Sequence, residues 1–244
     1  MKLDFLKKIS FRLLCLALTL SMLVCTGGKE QGSDTTTSGG SVKPPEPTMS
    51  TEPLNTDNGV VDLGVGLLVT KIGSYAGIYM EDGSDRIVSN MMMLLVKNTT
   101  GKDLQLARIS VVYEDFTAEF EVTNLPAAQS VVVLEKNRHT AVEQTYKEIT
   151  VRDLVYFQEP MNLLEEKLKV KGGDGYLDIE NVSGEDITGT VYVYYKNSAA
   201  GMLYGGITYR AKLENGLAKG SIARVTTGHY REGYSTIVQV VIST

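Results

Sequence analysis

Residues 98–104 read Asn-Thr-Thr-Gly-Lys-Asp-Leu, and residues 181–187 read Asn-Val-Ser-Gly-Glu-Asp-Ile. Both are polar turn segments with Asn, Gly and Asp in register. An apolar run precedes each, residues 91–96 in one case and 176–179 in the other. Each leads into a strand ending in Tyr, Ile-Ser-Val-Val-Tyr113 and Val-Tyr-Val-Tyr-Tyr195. An alternating run comes next in both copies. Ala118, Phe120 and Val122 alternate with Thr117, Glu119, Glu121 and Thr123. Ile207, Tyr209, Ala211 and Leu213 alternate with Thr208, Arg210, Lys212 and Glu214. Such alternation puts one set of side chains on a core and the other in water. Residues 124–131 then match 215–222, each with a Ser before an apolar strand, and the copies close on β-rich runs at 149–157 and 235–243. Five matched features in one order point to an internal duplication.

No stretch after Val60 holds a helical period, and Asp82-Gly83 and Gly173-Asp174-Gly175 mark turns. The chain reads as all-β. The copies span residues 59–159 and 160–244, with Glu159-Pro160 at the junction, since Pro restricts the residue before it and ends a strand. Copies of this size with six or seven short strands predict two tandem immunoglobulin-like β-sandwich domains.

The 244 residues carry a net charge of −5. Residues 1–25 hold +3, residues 26–58 hold −3 and the remainder holds −5. An acidic folded part argues against a nucleic-acid partner, which needs a basic stripe. Both cysteines, Cys15 and Cys25, precede the repeats, so the repeats have no disulfide, no thiolate zinc site and no Cys nucleophile. There are two His, no Trp and 13 Tyr.

Lys2, Lys7, Lys8 and Arg12 precede a 12-residue apolar run at 13–24, the length of a signal-peptide core and short for a membrane span. Cys25 follows immediately. This arrangement resembles the signal of bacterial lipoproteins, with Val24 where Gly, Ala or Ser is usual. The resemblance implies an exported protein, cut before Cys25 and anchored by acyl chains on Cys25 to the outer face of the cell membrane. Residues 26–58 contain five Gly, four Ser, seven Thr and four Pro, too little apolar surface to offset chain entropy. They read as a disordered linker with a span of roughly 30 Å.

Within the repeats, Tyr192-x-Tyr194-Tyr195 and Val112-Tyr113-Glu114 are similar to the FxLYD-type domains of bacterial surface lipoproteins. The acidic residue after the Tyr is Glu114 in copy one but Lys196 in copy two, and Ser110 holds the Phe position in copy one. The resemblance implies an extracellular immunoglobulin-like module and assigns it no chemistry.

Copy two is longer by about eight residues between Tyr195 and Ile207. The extra segment, 197–206, reads as a Gly-rich loop carrying Met202, Leu203 and Tyr204, a candidate binding loop. The same residues could instead continue the next strand and cover their own core. Tyr192, Tyr194 and Tyr230 form a candidate aromatic surface, since Tyr suits recognition but also favours strands. His139 and His229 fall at equivalent places, in separate copies, and make no metal site together. The acids at Asp174, Asp178, Glu180, Glu185 and Asp186, and at Glu81, Asp82 and Asp85, lack the spacing of a calcium loop. No phosphate loop, nucleotide fingerprint or nucleophile elbow is present. The expectation is a non-catalytic binding module without cofactor or metal, held to the membrane at Cys25 and facing an envelope protein or a wall polymer. The alternative is a structural spacer or an accessory subunit of an envelope complex.

Overall fold

The alternating run of copy one folds as a strand over Thr117–Leu125, with Ala118, Phe120, Val122 and Leu125 buried and the acids between them turned outward. The computed structural model describes residues 59–243 and the backbone of Thr48 and Met49. The signal segment 1–24, Cys25 and the linker up to residue 58, apart from Thr48 and Met49, lie outside the described residues. The described residues all belong to one unit, 43–244.

The chain is all-β. Two short strands come first, β1 (Thr48–Met49) and β2 (Val61–Asp62). Repeat one then contributes β3 (Leu67–Tyr79), β4 (Arg86–Asn98), β5 (Leu104–Val112), β6 (Thr117–Leu125), β7 (Ser130–Leu134) and β8 (Glu148–Tyr156). Repeat two contributes β9 (Leu168–Gly173), β10 (Tyr176–Asn181), β11 (Thr190–Ala199), β12 (Met202–Leu213), β13 (Ile222–Thr226) and β14 (Ser235–Ser243).

The duplication is visible in the pairing. Repeat one has neighbours β3-β4-β7 in one sheet and β6-β5-β8 in another. Repeat two has β9-β10-β13 in one sheet and β12-β11-β14 in another. The two orders are the same with each strand moved on by six. Each pair of sheets encloses its own core. Ile109, Val111, Phe120 and Val133 lie in the first, and Ile179, Val193, Ala211 and Val240 in the second.

The repeats are not separate beads. β7 pairs in parallel with β12, Leu203 opposite Val131 and Tyr204 opposite Val132, and the sheet runs on as β1-β3-β4-β7-β12-β11-β14. A third cluster sits at this join, where Tyr204 of repeat two packs with Tyr75, Tyr79, Met80, Met91, Met93, Val132 and Leu134 of repeat one. That explains the unbroken apolar run of β4. Met92, Leu94 and Val96 face the first core and Met91 and Met93 the third cluster, so the strand is buried on both sides.

The matched Asn turns are the best-preserved feature. The Asn98 amide donates to the carbonyls of Lys102, Leu125 and Pro126, and its Oδ1 accepts from the backbone and hydroxyl of Thr100. The Asn181 amide donates to Glu185 and Leu217, and its Oδ1 accepts from the backbone and hydroxyl of Ser183. Asp103 accepts from the Ala127 amide and Asp186 from the Lys219 amide, each at 2.8 Å. Leu125 therefore corresponds to Leu217, and the alignment of this loop read from sequence moves by one residue. Both Asn side chains are buried. Asn181→Ala leaves one buried and one part-buried carbonyl and a turn without partners and is expected to cost about 2–3 kcal/mol, measured by urea unfolding. Asn181→Asp, which keeps the acceptor and loses the donor, should recover part of that loss at most.

Candidate binding site at the repeat junction

In repeat one the β5–β6 hairpin closes tightly. Tyr113 and Phe116 stack at 4.8 Å, and the Tyr113 amide donates to the Phe116 carbonyl. Their counterparts in repeat two, Tyr195 and Tyr209, also stack, at 5.5 Å. Two residues separate the first pair and thirteen the second. The extra residues do not make a loop. β11 continues to Ala199, turns through Ala200 and Gly201, both at positive φ, and returns as β12 from Met202.

The candidate loop residues Met202, Leu203 and Tyr204 are thus strand. Leu203 enters the first core, and Met202 and Tyr204 pack on the third cluster. The insertion is longer than the sequence suggested, and it covers the neighbouring repeat rather than its own core. The cause is the open edge of β7, which a strand satisfies with backbone hydrogen bonds and a bare loop does not.

The returning strand is irregular. Tyr195 pairs with Tyr209, but Asn197 pairs with Tyr204, so Lys196 alone faces four residues, 205–208. Lys196 is fully buried and donates through Nζ to the carbonyls of Gly205 (3.2 Å), Gly206 (2.8 Å) and Ile207 (2.8 Å). Glu81, in the turn between β3 and β4, reaches the same segment from repeat one. Its carboxylate accepts from the amides of Gly206, Ile207 and Leu134. Burial pushes the Glu81 carboxyl up, against these hydrogen bonds and the Lys196 charge. Burial pulls Lys196 down to about 7, with the Glu81 charge opposing it. The seven backbone hydrogen bonds suit a carboxylate that only accepts and an ammonium with all three protons used.

Beside this clasp is a cleft of about 60 Å³, lined by Tyr75, Ile78, Met80 and Asp85 of repeat one and Asn197, Ser198, Ala199, Tyr204, His229, Arg231 and Tyr234 of repeat two. That is room for a few waters or the end of one side chain. Its polar wall is the Asp85–His229 pair, with Oδ2 and Nδ1 3.1 Å apart. The His229 ring stacks on Tyr209 at 4.5 Å. The equivalent His139 lies against Phe116 at 4.7 Å and 3.5 Å from the buried Glu135, too far for a good hydrogen bond. Each repeat therefore has a Tyr–aromatic–His stack, and in repeat two the His has been turned to an acid of the other repeat. The cleft offers aromatic faces, one His–Asp pair and one Arg. The Ser198 hydroxyl is hydrogen-bonded to Thr236 at 2.7 Å.

The aromatic surface is only partly a surface. Tyr192 and Tyr194 are half-buried with their rings 6.5 Å apart, and Arg210 lies over Tyr192. Tyr230 is buried, edge-on to Tyr195 at 5.2 Å, so it belongs to the second core. The ring also excludes any side chain at residue 172, where a Cβ would lie 2.0 Å from it, which accounts for Gly172. Among the described residues, no cluster of three or more His, Cys, Asp or Glu could hold a metal ion. Lys196 and Asp85 were missed as site residues because their partners are 115 and 144 positions away. The one available signal was Lys196 itself, a cation where the resembled family has an acid. Comparison with family models, curated proteins and solved structures finds no match for the chain.

Proposed function

We propose that the chain is a surface-anchored, non-catalytic binding module whose recognition site is the cleft at the repeat junction. The observation that carries the reading is the origin of the cleft. It exists only because repeat two has lengthened one hairpin and both repeats line it, with Tyr75, Tyr204 and Tyr234 beside Asp85, His229 and Arg231. Tyr and Arg are the residues that dominate contact energy at protein interfaces. The lipoprotein-type signal and the linker support presentation away from a membrane. The likeness to FxLYD-type domains supports an envelope protein or wall polymer as partner. The continuous sheet favours a second reading, a rigid spacer or accessory subunit, because it fixes the two repeats in one orientation.

Crosslinking of the tagged protein on its native cells, followed by mass spectrometry, separates these readings. The variant Ala199→Glu/Arg231→Glu fills the cleft and turns its charge from neutral to negative, and neither residue belongs to the first or second core. The expected result is one stoichiometric protein partner, lost in the variant while thermal unfolding is unchanged. Capture that the variant leaves intact would reject the cleft. Recovery of wall or lipid material alone would favour the spacer.

A further inference from the structure

The two repeats differ at one edge. In repeat one, β2 lies antiparallel on the outer side of β3, with Val61 opposite Val69 and Asp62 opposite Leu68. The chain turns between Leu63 and Leu67, whose amide and carbonyl pair at 3.0 Å. Val61 and Leu63 pack onto the first core. In repeat two, Leu168 and Val170 of β9 correspond to Leu67 and Val69, because Leu168 faces Asn181 as Leu67 faces Asn98. The preceding segment takes another course. The Leu168 amide donates back to the Leu164 carbonyl, and the Asn162 carbonyl accepts from Val240 on β14. The chain crosses to the opposite sheet, and β9 stays the outermost strand of β13-β10-β9.

The place that β2 fills in repeat one is a groove in repeat two. It has a volume of about 250 Å³, and the aliphatic Leu163, Leu168, Val170, Val182, Ile237 and Val240 line it together with two charged residues, Glu165 and Lys169. Leu163 and Val182 are exposed there, at 36% and 44%. A strand edge that no described residue covers, beside a mostly apolar groove, is the arrangement that accepts an added strand. Main-chain hydrogen bonds supply attachment, and alternate side chains enter the groove.

We propose that the open side of β9 is a strand-addition site for an extended polypeptide with apolar side chains two residues apart. The peptide seats its apolar side chains opposite Val170 and Leu168, as Val61 seats opposite Val69 and Leu63 opposite Leu67. The occupant is defined by the molecule's own precedent, since the same core architecture one repeat earlier is closed by a Val-Asp-Leu strand. The site is separate from the junction cleft and stands or falls without it.

The probe is a synthetic peptide of residues 59–66, Gly-Val-Val-Asp-Leu-Gly-Val-Gly, titrated into the isotope-labelled full-length chain in detergent up to about 1 mM. The expected result is saturable amide shifts in residues 169–171 and 237–240, with slower hydrogen exchange at Val170, whose amide faces the open side. A peptide carrying Val61→Asp and Leu63→Asp should not bind. Val182→Arg in the protein, at an exposed position that leaves the core intact, should weaken binding at least about tenfold. Absence of saturable shifts in those amides would overturn the proposal. So would shifts confined to Leu68 and Val69, which would report exchange with β2, or binding that Val182→Arg leaves unchanged.

Discussion

Lys196→Ala is expected to lower the folding free energy by about 3–5 kcal/mol, the loss typical of removing one member of a buried charge pair. The substitution leaves the carbonyls of Gly205, Gly206 and Ile207 without their donor, and leaves Glu81 buried without its counter-charge. Lys196→Met keeps the stem and should recover only the packing part. Because Lys196 and Glu81 hold the same three-residue segment, the double variant Lys196→Met/Glu81→Gln should lose less than the sum of its parts, by at least about 0.5 kcal/mol. Strict additivity would mean that the two side chains act independently.

The same lysine gives a pH signature. Its folded pKa is drawn down to about 7 from the ordinary 10.5. Between those values the unfolded chain holds a proton on this lysine that the folded chain has released, so Lys196 by itself makes stability rise with pH across the window, with Glu81, pushed up by burial, acting in the opposite sense. The opposite sign sets in at higher pH, where Tyr79 and Tyr113, pushed up to about 12 mainly by burial, keep protons that unfolded tyrosines lose. Lys196→Met should flatten the slope between pH 7 and 10 and leave the alkaline fall in place. A slope that Lys196→Met leaves unchanged would show that Lys196 titrates as an ordinary lysine.

The second large effect is expected at Gly206. A Cβ there would lie 1.7 Å from the Glu121 carbonyl oxygen and 2.9 Å from the Val133 side chain. Glu121 is on β6, so one methyl group forces repeat two away from repeat one. The nearby ties would go with it, from the Thr123 hydroxyl to the Gly206 carbonyl and between Thr123 and Thr208, each at 2.9 Å. Gly206→Ala is expected to cost about 3 kcal/mol or more, at or above the upper end of overpacking. The single urea transition should divide into two as the repeats uncouple. Gly201→Ala is the control for chain stiffness alone, since its Cβ would meet nothing within 4 Å. It should cost no more than the strain of its positive φ, about 1 kcal/mol.

The strands were legible because they carry their own periodicity. Ala118, Phe120 and Val122 announce a half-buried strand in any context, and the Asn turns announce each other across 83 residues. The junction was not legible, for three physical reasons. The pairing of β7 with β12 is parallel and spans 72 residues at its first contact, so no turn chemistry marks it. The Gly-Gly of 205–206 reads as a flexible loop. In the fold it is the part of β12 that has no room for side chains, beside Met80 and the Glu121 carbonyl. Lys196 breaks the rule that lysines stay at the surface, and the carbonyls of residues 205–207 with the Glu81 charge explain it. The aromatic count misled in the same way. Tyr204, Tyr209 and Tyr230 fill cores, while Tyr192 and Tyr194 keep partial exposure on the sheet.

The cleft exists only if the two repeats are joined as one sheet, so the join is the claim to test first. Hydrogen exchange of the full-length chain under native conditions measures it directly at the amides of Val132 and Leu203, which point across the join. The expected result is protection equal to that of Phe120 and Val193 in the two cores, because these amides open only when the whole unit unfolds. Exchange at those two amides as fast as in exposed turns such as 200–201, with both cores still protected, would show two independent sandwiches and no fixed cleft between them.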